Sequence, residues 1–146
     1  MDSGKFTGSV YPEIIGGCPI ATPTVTLHRT LVSAGFEFPE SYRVCEDVLA
    51  YINLARTHAV LGIPEPLSIV EWSTTSAAID LEQSLLGLSN IVNAMEQDQE
   101  HRHNTAQISA LKSAIVGVAQ RWGSARTKPG GPALDHSLVA QVFAAP

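Results

Sequence analysis

TSAAIDLEQSLLGLSNIVNAMEQDQEHRHNTAQISALKSAIVGVAQRWG, residues 75–123, is the stretch whose reading decides the fold. It contains no proline, and its apolar residues recur every three or four positions: Ile79, Leu81, Leu85, Leu88, Val92 and Met95, then Ile108, Leu111, Ile115, Val118 and Trp122. That period belongs to an α-helix burying one face. Between the two sets lies a polar gap, Gln97-Asp98-Gln99-Glu100-His101-Arg102-His103-Asn104. The first seam would continue through Gln99, Arg102 and Ala106, yet the apolar pattern restarts out of step at Ile108. The stretch is therefore one long helix with a solvated middle or an αα-hairpin turning near residue 100. Asn104 as N-cap with Gln107 three residues on favours the hairpin, as does the roughly 70 Å length of a continuous helix. The absence of Gly and Pro from the gap speaks against it.

Working outward, residues 1–22 read as an extended arm. Gly4, Gly8, Pro12, Gly16, Gly17 and Pro19 forbid a helix, while Phe6, Val10, Tyr11, Ile14 and Ile15 are too apolar to lie free in water. Thr22-Pro23 opens a first helix that stops at Gly35. A second is expected from Pro39 to about Leu61, with one stripe through Cys45, Val48, Leu49, Ile52 and Ala55 and another through Val44, Tyr51 and Leu54. Ile63-Pro64-Glu65-Pro66 is a stiff connector, Leu67 to Trp72 reads as a strand or a helical turn, and Ser73 to Ser76 supply N-caps for the third helix. Beyond Gly123 come a basic Gly/Pro linker and, through Leu134, Leu138, Val139, Val142 and Phe143, a short terminal helix. The expected architecture is an all-α single domain, a bundle of four to five helices. Its divisions are an arm over 1–22, the bundle over 23–123, and a linker with a short helix over 124–146.

The chain has 146 residues, 16% of them charged and only three of them lysines, and a mean hydropathy of +0.10. Typical domains carry roughly a quarter charged residues. That deficit points to a subunit hiding surface against neighbours. The net charge of −5 argues against nucleic-acid binding through bulk charge. It leaves a local basic strip, Arg121, Arg126 and Lys128, as the candidate phosphate contact. The bland reading of that strip is favourable charge at a helix C-terminus. Cys18 and Cys45 form no CxxC pair, which fits a reducing compartment or no redox role. No leader pattern and no apolar run near the roughly 20 residues of a membrane span are read, so a soluble protein of the cytoplasm or of a virion is expected.

No motif names a chemistry. Glu100-x-x-His103, with Glu96 a turn earlier, has the spacing used in di-iron bundles, but a ligand set needs a second such motif. If the stretch is helical, His101 and His103 point about 200° apart and cannot share a metal. Asp135-His136-Ser137 holds the triad residue types without the geometry or an elbow. Cys18 lacks an activating neighbour, Cys45 reads as core, and His28 and His58 read as partly buried helix residues. No phosphate loop is present. No catalytic residue, metal or cofactor is assigned, and the chain is not expected to be an enzyme.

The leading expectation is a structural subunit that self-associates into a particle or filament, of the small coat or virion type. Its self-association contacts would be Phe6, Val10, Tyr11, Ile14, Ile15, Val142 and Phe143, and its partners copies of itself, with nucleic acid a second candidate. No membrane or small-molecule partner is read. The alternatives, in order, are a helical adaptor binding one protein partner and a helical metal-dependent enzyme using Glu96, Glu100 and His103. On the leading reading, removing residues 1–20 abolishes assembly and spares the helices, unless the arm belongs to its own domain's core.

Overall fold

The structure, a computed structural model, describes the backbone of residues 7–69 and 81–126 and the side chains of 7–69 and 82–120. The fold is all-α: four α-helices and no β-strand occur among the described residues. They are α1 (Arg29–Ser33), α2 (Glu46–Ala55), α3 (Leu81–Gln97) and α4 (Thr105–Arg126).

The deciding stretch is a hairpin. Helices α3 and α4 pack on each other, with Ile91, Val92 and Met95 buried on one and Ile108, Leu111, Ile115 and Ala119 on the other. The chain leaves α3 without Gly or Pro because Asp98 supplies the break. Its Oδ1 accepts the backbone N–H groups of Glu100 (2.8 Å) and His101 (2.9 Å), a local side-chain alternative to the helical ladder. Those two bonds hold the Asp98 carboxyl below the usual carboxylate range. Asn104 then stands directly before α4, and its carbonyl takes the N–H of Ile108 (3.0 Å).

The earlier helices are shorter than their apolar patterns suggest. Thr22-Pro23 makes only a 3₁₀ turn, Thr22–Thr24, and α1 begins at Arg29 behind His28 as N-cap. Gly35 does end that helix as expected. With φ +88, it donates its N–H to Val32 O while Phe36 donates to Leu31 O, the paired bonds of a Schellman stop. Helix α2 starts at Glu46 and not near Pro39, because Cys45 has a left-handed backbone (φ 64) that no helix carries through. Glu46 and Asp47 then place negative charge on its first turn. It ends at Ala55, before Leu61, since Val60 pairs instead with Gly8 in an isolated antiparallel bridge (N–O 2.7 and 2.9 Å). Leu49, Ala50, Tyr51, Ile52 and Ala55 are buried, so α2 is packed on two sides as its double stripe requires. Residues 61–69 form no regular element, and Leu61, Ile63, Leu67 and Ile69 are exposed. The strand-or-turn segment lies partly, and the N-caps at Ser73 to Ser76 and the terminal helix wholly, outside the described residues.

The arm closes the core. After the Gly8–Val60 bridge it runs through a cis Tyr11–Pro12 peptide into a 3₁₀ turn, Glu13–Gly16, seated mainly on α4. Val10, Ile14 and Ile15 are buried in one cluster with Ile52, Ile91, Met95, Ile108 and Leu111. Gly16 lies so close to α4 that a Cβ there would meet the Ala110 Cβ at 3.5 Å.

Gly87 marks a second close approach, where α3 passes the segment before α2. A Cβ there would lie 2.8 Å from the Val44 carbonyl oxygen and 3.1 Å from the Cys45 Sγ. Replacing a helical glycine by alanine ordinarily stabilises by about 1 kcal/mol. Here a backbone carbonyl must move, and overpacking of this kind costs about 1–3 kcal/mol. Gly87→Ala is therefore expected to lower the thermal midpoint. A raised midpoint would show that the Val44 backbone yields freely.

Candidate functional site

The turn between α3 and α4 carries a polar cluster built around one buried histidine. His101 sits there with 2% of its surface exposed. Its Nε2 lies 3.0 Å from Asn53 Oδ1 on α2, and its Nδ1 lies 3.0 Å from the Tyr11 hydroxyl on the arm. Asn104 Nδ2 donates to that hydroxyl at 2.7 Å and to the His101 carbonyl at 3.1 Å. The Tyr11 and His101 rings are tilted by 59° with centroids 5.6 Å apart.

The partners fix the protonation. Asn53 Oδ1 can only accept, so Nε2 carries the proton and donates it. Neutral Nδ1 is then the acceptor for the Tyr11 O–H, whose oxygen accepts in turn from Asn104. Burial lowers the His101 pKa, and Arg56 pushes the same way, while Asp98 and Glu100 oppose it. The sign for stability follows from a folded value below the free histidine value of 6.5. The contribution is complete above that pH and is lost as pH falls through the lowered native value. These four side chains tie the arm, α2 and the hairpin turn to one another, with Asn53 at the exposed end of the network.

Two ion pairs also join the helices. Arg56 at the end of α2 pairs with Glu100, and Lys112 pairs with Glu96 at 2.6 Å, joining α4 to α3. Next to that pair lies an open cleft of about 370 Å³ lined by Glu96, Arg102, Thr105, Ile108, Ser109 and Lys112. It offers the Arg102 guanidinium and two hydroxyls beside the Lys112–Glu96 pair, a donor and acceptor set able to hydrogen-bond hydroxyl-bearing groups.

The residues singled out in the sequence fall in different places. Val10, Ile14 and Ile15 are buried inside their own chain and Tyr11 is half-buried in the histidine network. Arg121 and Arg126 lie on the last turns of α4. Phe6, Lys128, Val142, Phe143 and the Asp135-His136-Ser137 run lie outside the described residues. Glu96 and Glu100 are held by Lys112 and Arg56. No three His, Cys, Asp or Glu side chains among the described residues stand together as a metal set. His28 and His58 are exposed and lie outside the helices, one as a cap of α1 and the other beyond the end of α2, which corrects their reading as helix residues. The polar gap is also less solvated than its composition suggests. His101 had no signal in the sequence, since its partners Asn53 and Tyr11 are 48 and 90 positions away.

Neither thiol is poised for chemistry. Burial, then Asp47 and Glu46, pushes the half-buried Cys45 up to about 11, and burial raises Cys18. A rise of that size from 9.0 leaves about a hundredfold less thiolate at Cys45. Alkylation of the native protein at pH 8 is expected to be slow at both sites and to become fast on denaturation. Fast labelling of the native chain at Cys45 would contradict this.

No protein-family model matches the chain, and no solved structure matches it significantly. The chain is 39% identical over 99 residues to a protein of Rickettsia felis named an uncharacterized glycosyltransferase, and 38% identical over 99 residues to one of Rickettsia conorii with that description. A third, of Rickettsia bellii, is 40% identical over 70 residues. The 99-residue matches cover 67% of this chain and 16% of the relatives, so the chain spans about a sixth of the curated relatives' length. These names overturn the coat or virion subunit expected from the low charge, and with it the reading of the chain as no enzyme. The relatives are named for an enzyme activity and not as building blocks of a particle, and they lend a virion location no support. No helix among the described residues is long and apolar enough to cross a membrane.

Proposed function

We propose that the chain takes part in glycosyl transfer, as a helical module of a glycosyltransferase. The observation that carries this reading is the 38–39% identity maintained over 99 residues to proteins bearing that name. Glycosyl transfer joins an acceptor hydroxyl to the anomeric carbon of a sugar as the donor's leaving group departs. A protein serves it by holding hydroxyls through neutral donors and acceptors and by meeting a phosphate leaving group with fixed cations. The cleft between α3 and α4 supports that role: Thr105 and Ser109 present hydroxyls beside Arg102 and Lys112.

The test is titration of the isotopically labelled chain with nucleoside-diphosphate sugars, read by amide shifts, alongside release of nucleoside diphosphate in the presence of sugar acceptors. Shifts gathered at Arg102, Thr105, Ser109 and Lys112, and lost in the Arg102→Ala, Lys112→Ala double variant, are expected. A chain that neither shifts with any donor or acceptor nor affects transfer contradicts the proposal.

A further inference from the structure

We propose that His101 is a proton-operated latch on the N-terminal arm, so that proton uptake at this one ring makes residues 8–17 lift from the hairpin turn more often. The geometry joins three separate pieces of chain at a single imidazole: the arm through Tyr11, α2 through Asn53, and the turn through His101 itself and Asn104. In the neutral ring every proton has an acceptor. A proton added at Nδ1 removes the acceptor of the Tyr11 O–H and points a donor at the Tyr11 oxygen. The hydroxyl must turn its own hydrogen away, and its other recorded neighbour, Asn104 Nδ2, is a donor as well. The half-buried Tyr11 hydroxyl must then give up the ring for water, and a positive charge sits on a residue with 2% of its surface exposed.

The charged and titratable groups facing the ring come from all the packed elements. Arg56 at the end of α2 opposes the added charge, Asp98 and Glu100 of the turn favour it, and from the arm only the neutral Tyr11 hydroxyl reaches it. Burial outweighs the two carboxylates, so the strain falls on the junction that can open. That junction is the Tyr11 contact. Val10, Ile14 and Ile15 remain apolar anchors at every pH and keep most arms docked. What the proton changes is how frequently the arm lifts.

Backbone hydrogen exchange of the full chain, corrected for intrinsic rates, tests this between pH 7.5 and 5. The probes are the amides of Gly8 and Val60, whose reciprocal bonds join the arm to the segment after α2, and those of Ile14 and Ile15, whose bonds lie within the arm but which are buried only while it is docked. Their protection is expected to fall by up to about tenfold per pH unit below the free histidine value. In His101→Gln, which cannot titrate, the same amides should show no such pH response. Tyr11→Phe keeps the imidazole and removes its partner. Its arm should exchange faster than wild type already at pH 7.5 and lose more than half of the pH response, which guards against a misfolded glutamine variant. A pH response unchanged in the variants, or His101 titrating while the arm's protection stays constant, overturns the latch.

Discussion

Removing residues 1–20 is expected to leave a chain without a cooperative thermal transition. The deletion takes Val10, Ile14 and Ile15, exposed by only 6%, 1% and 0%, out of the cluster that also contains Ile52, Ile91 and Met95. Burying side chains of this size contributes about 1.5–3 kcal/mol each, so the three together contribute about 5–9 kcal/mol. A domain's whole net stability is about 5–15 kcal/mol. The deletion also strips Tyr11 from Nδ1 of His101 and uncovers the face of α4 that the 3₁₀ turn occupies. Circular dichroism of the truncated chain should show loss of much of the helical signal and a shallow melt. A truncated chain that keeps its helices and a sharp melt would show that the bundle does not need the arm.

The second large effect concerns two isoleucines with opposite surroundings. Ile52 on α2 is fully buried, while Ile69 in the segment after it is fully exposed. Ile52→Ala removes three carbons from a packed interior and leaves a cavity between α2, the arm and the hairpin, at a cost of about 2–5 kcal/mol. Ile69→Ala removes the same atoms from water-facing surface and should change stability by less than about 0.5 kcal/mol. Chemical denaturation of the two variants measures the difference. Similar losses in both would mean that Ile69 is covered in solution.

The hairpin was the most legible part of the sequence because two physical signals agreed. The apolar seam breaks step between Met95 and Ile108, and Asn104 stands directly before α4, although its side-chain amide is spent on Tyr11 and the His101 carbonyl and not on the expected capping box with Gln107. What the sequence hid was the device that turns the chain, since Asp98 capping Glu100 and His101 replaces the missing Gly or Pro. The early helices were over-extended for a similar reason. Apolar spacing from Val44 to Leu61 is helical throughout, but a left-handed Cys45 cuts one end and the bridge from Val60 to Gly8 takes the other. Long-range contacts of that kind override local propensity and leave no local trace. The histidine network was invisible on the same grounds, because no periodicity connects Tyr11, Asn53 and His101. Low charge points to hidden apolar surface, and Val10, Ile14 and Ile15 are hidden within their own chain. Function could not be read from any motif, and only the likeness to the rickettsial proteins supplies a class of chemistry.

That the arm is packed on its own molecule is the claim on which the fold, the latch and the deletion all rest. A mixed sample of isotope-labelled and unlabelled chains tests it through the nuclear Overhauser contact between Gly16 and the Ala110 methyl, which the structure brings together. The contact should appear within single chains and be absent between labelled and unlabelled ones. Its appearance only between differently labelled chains would place the arm on a neighbour and contradict the account.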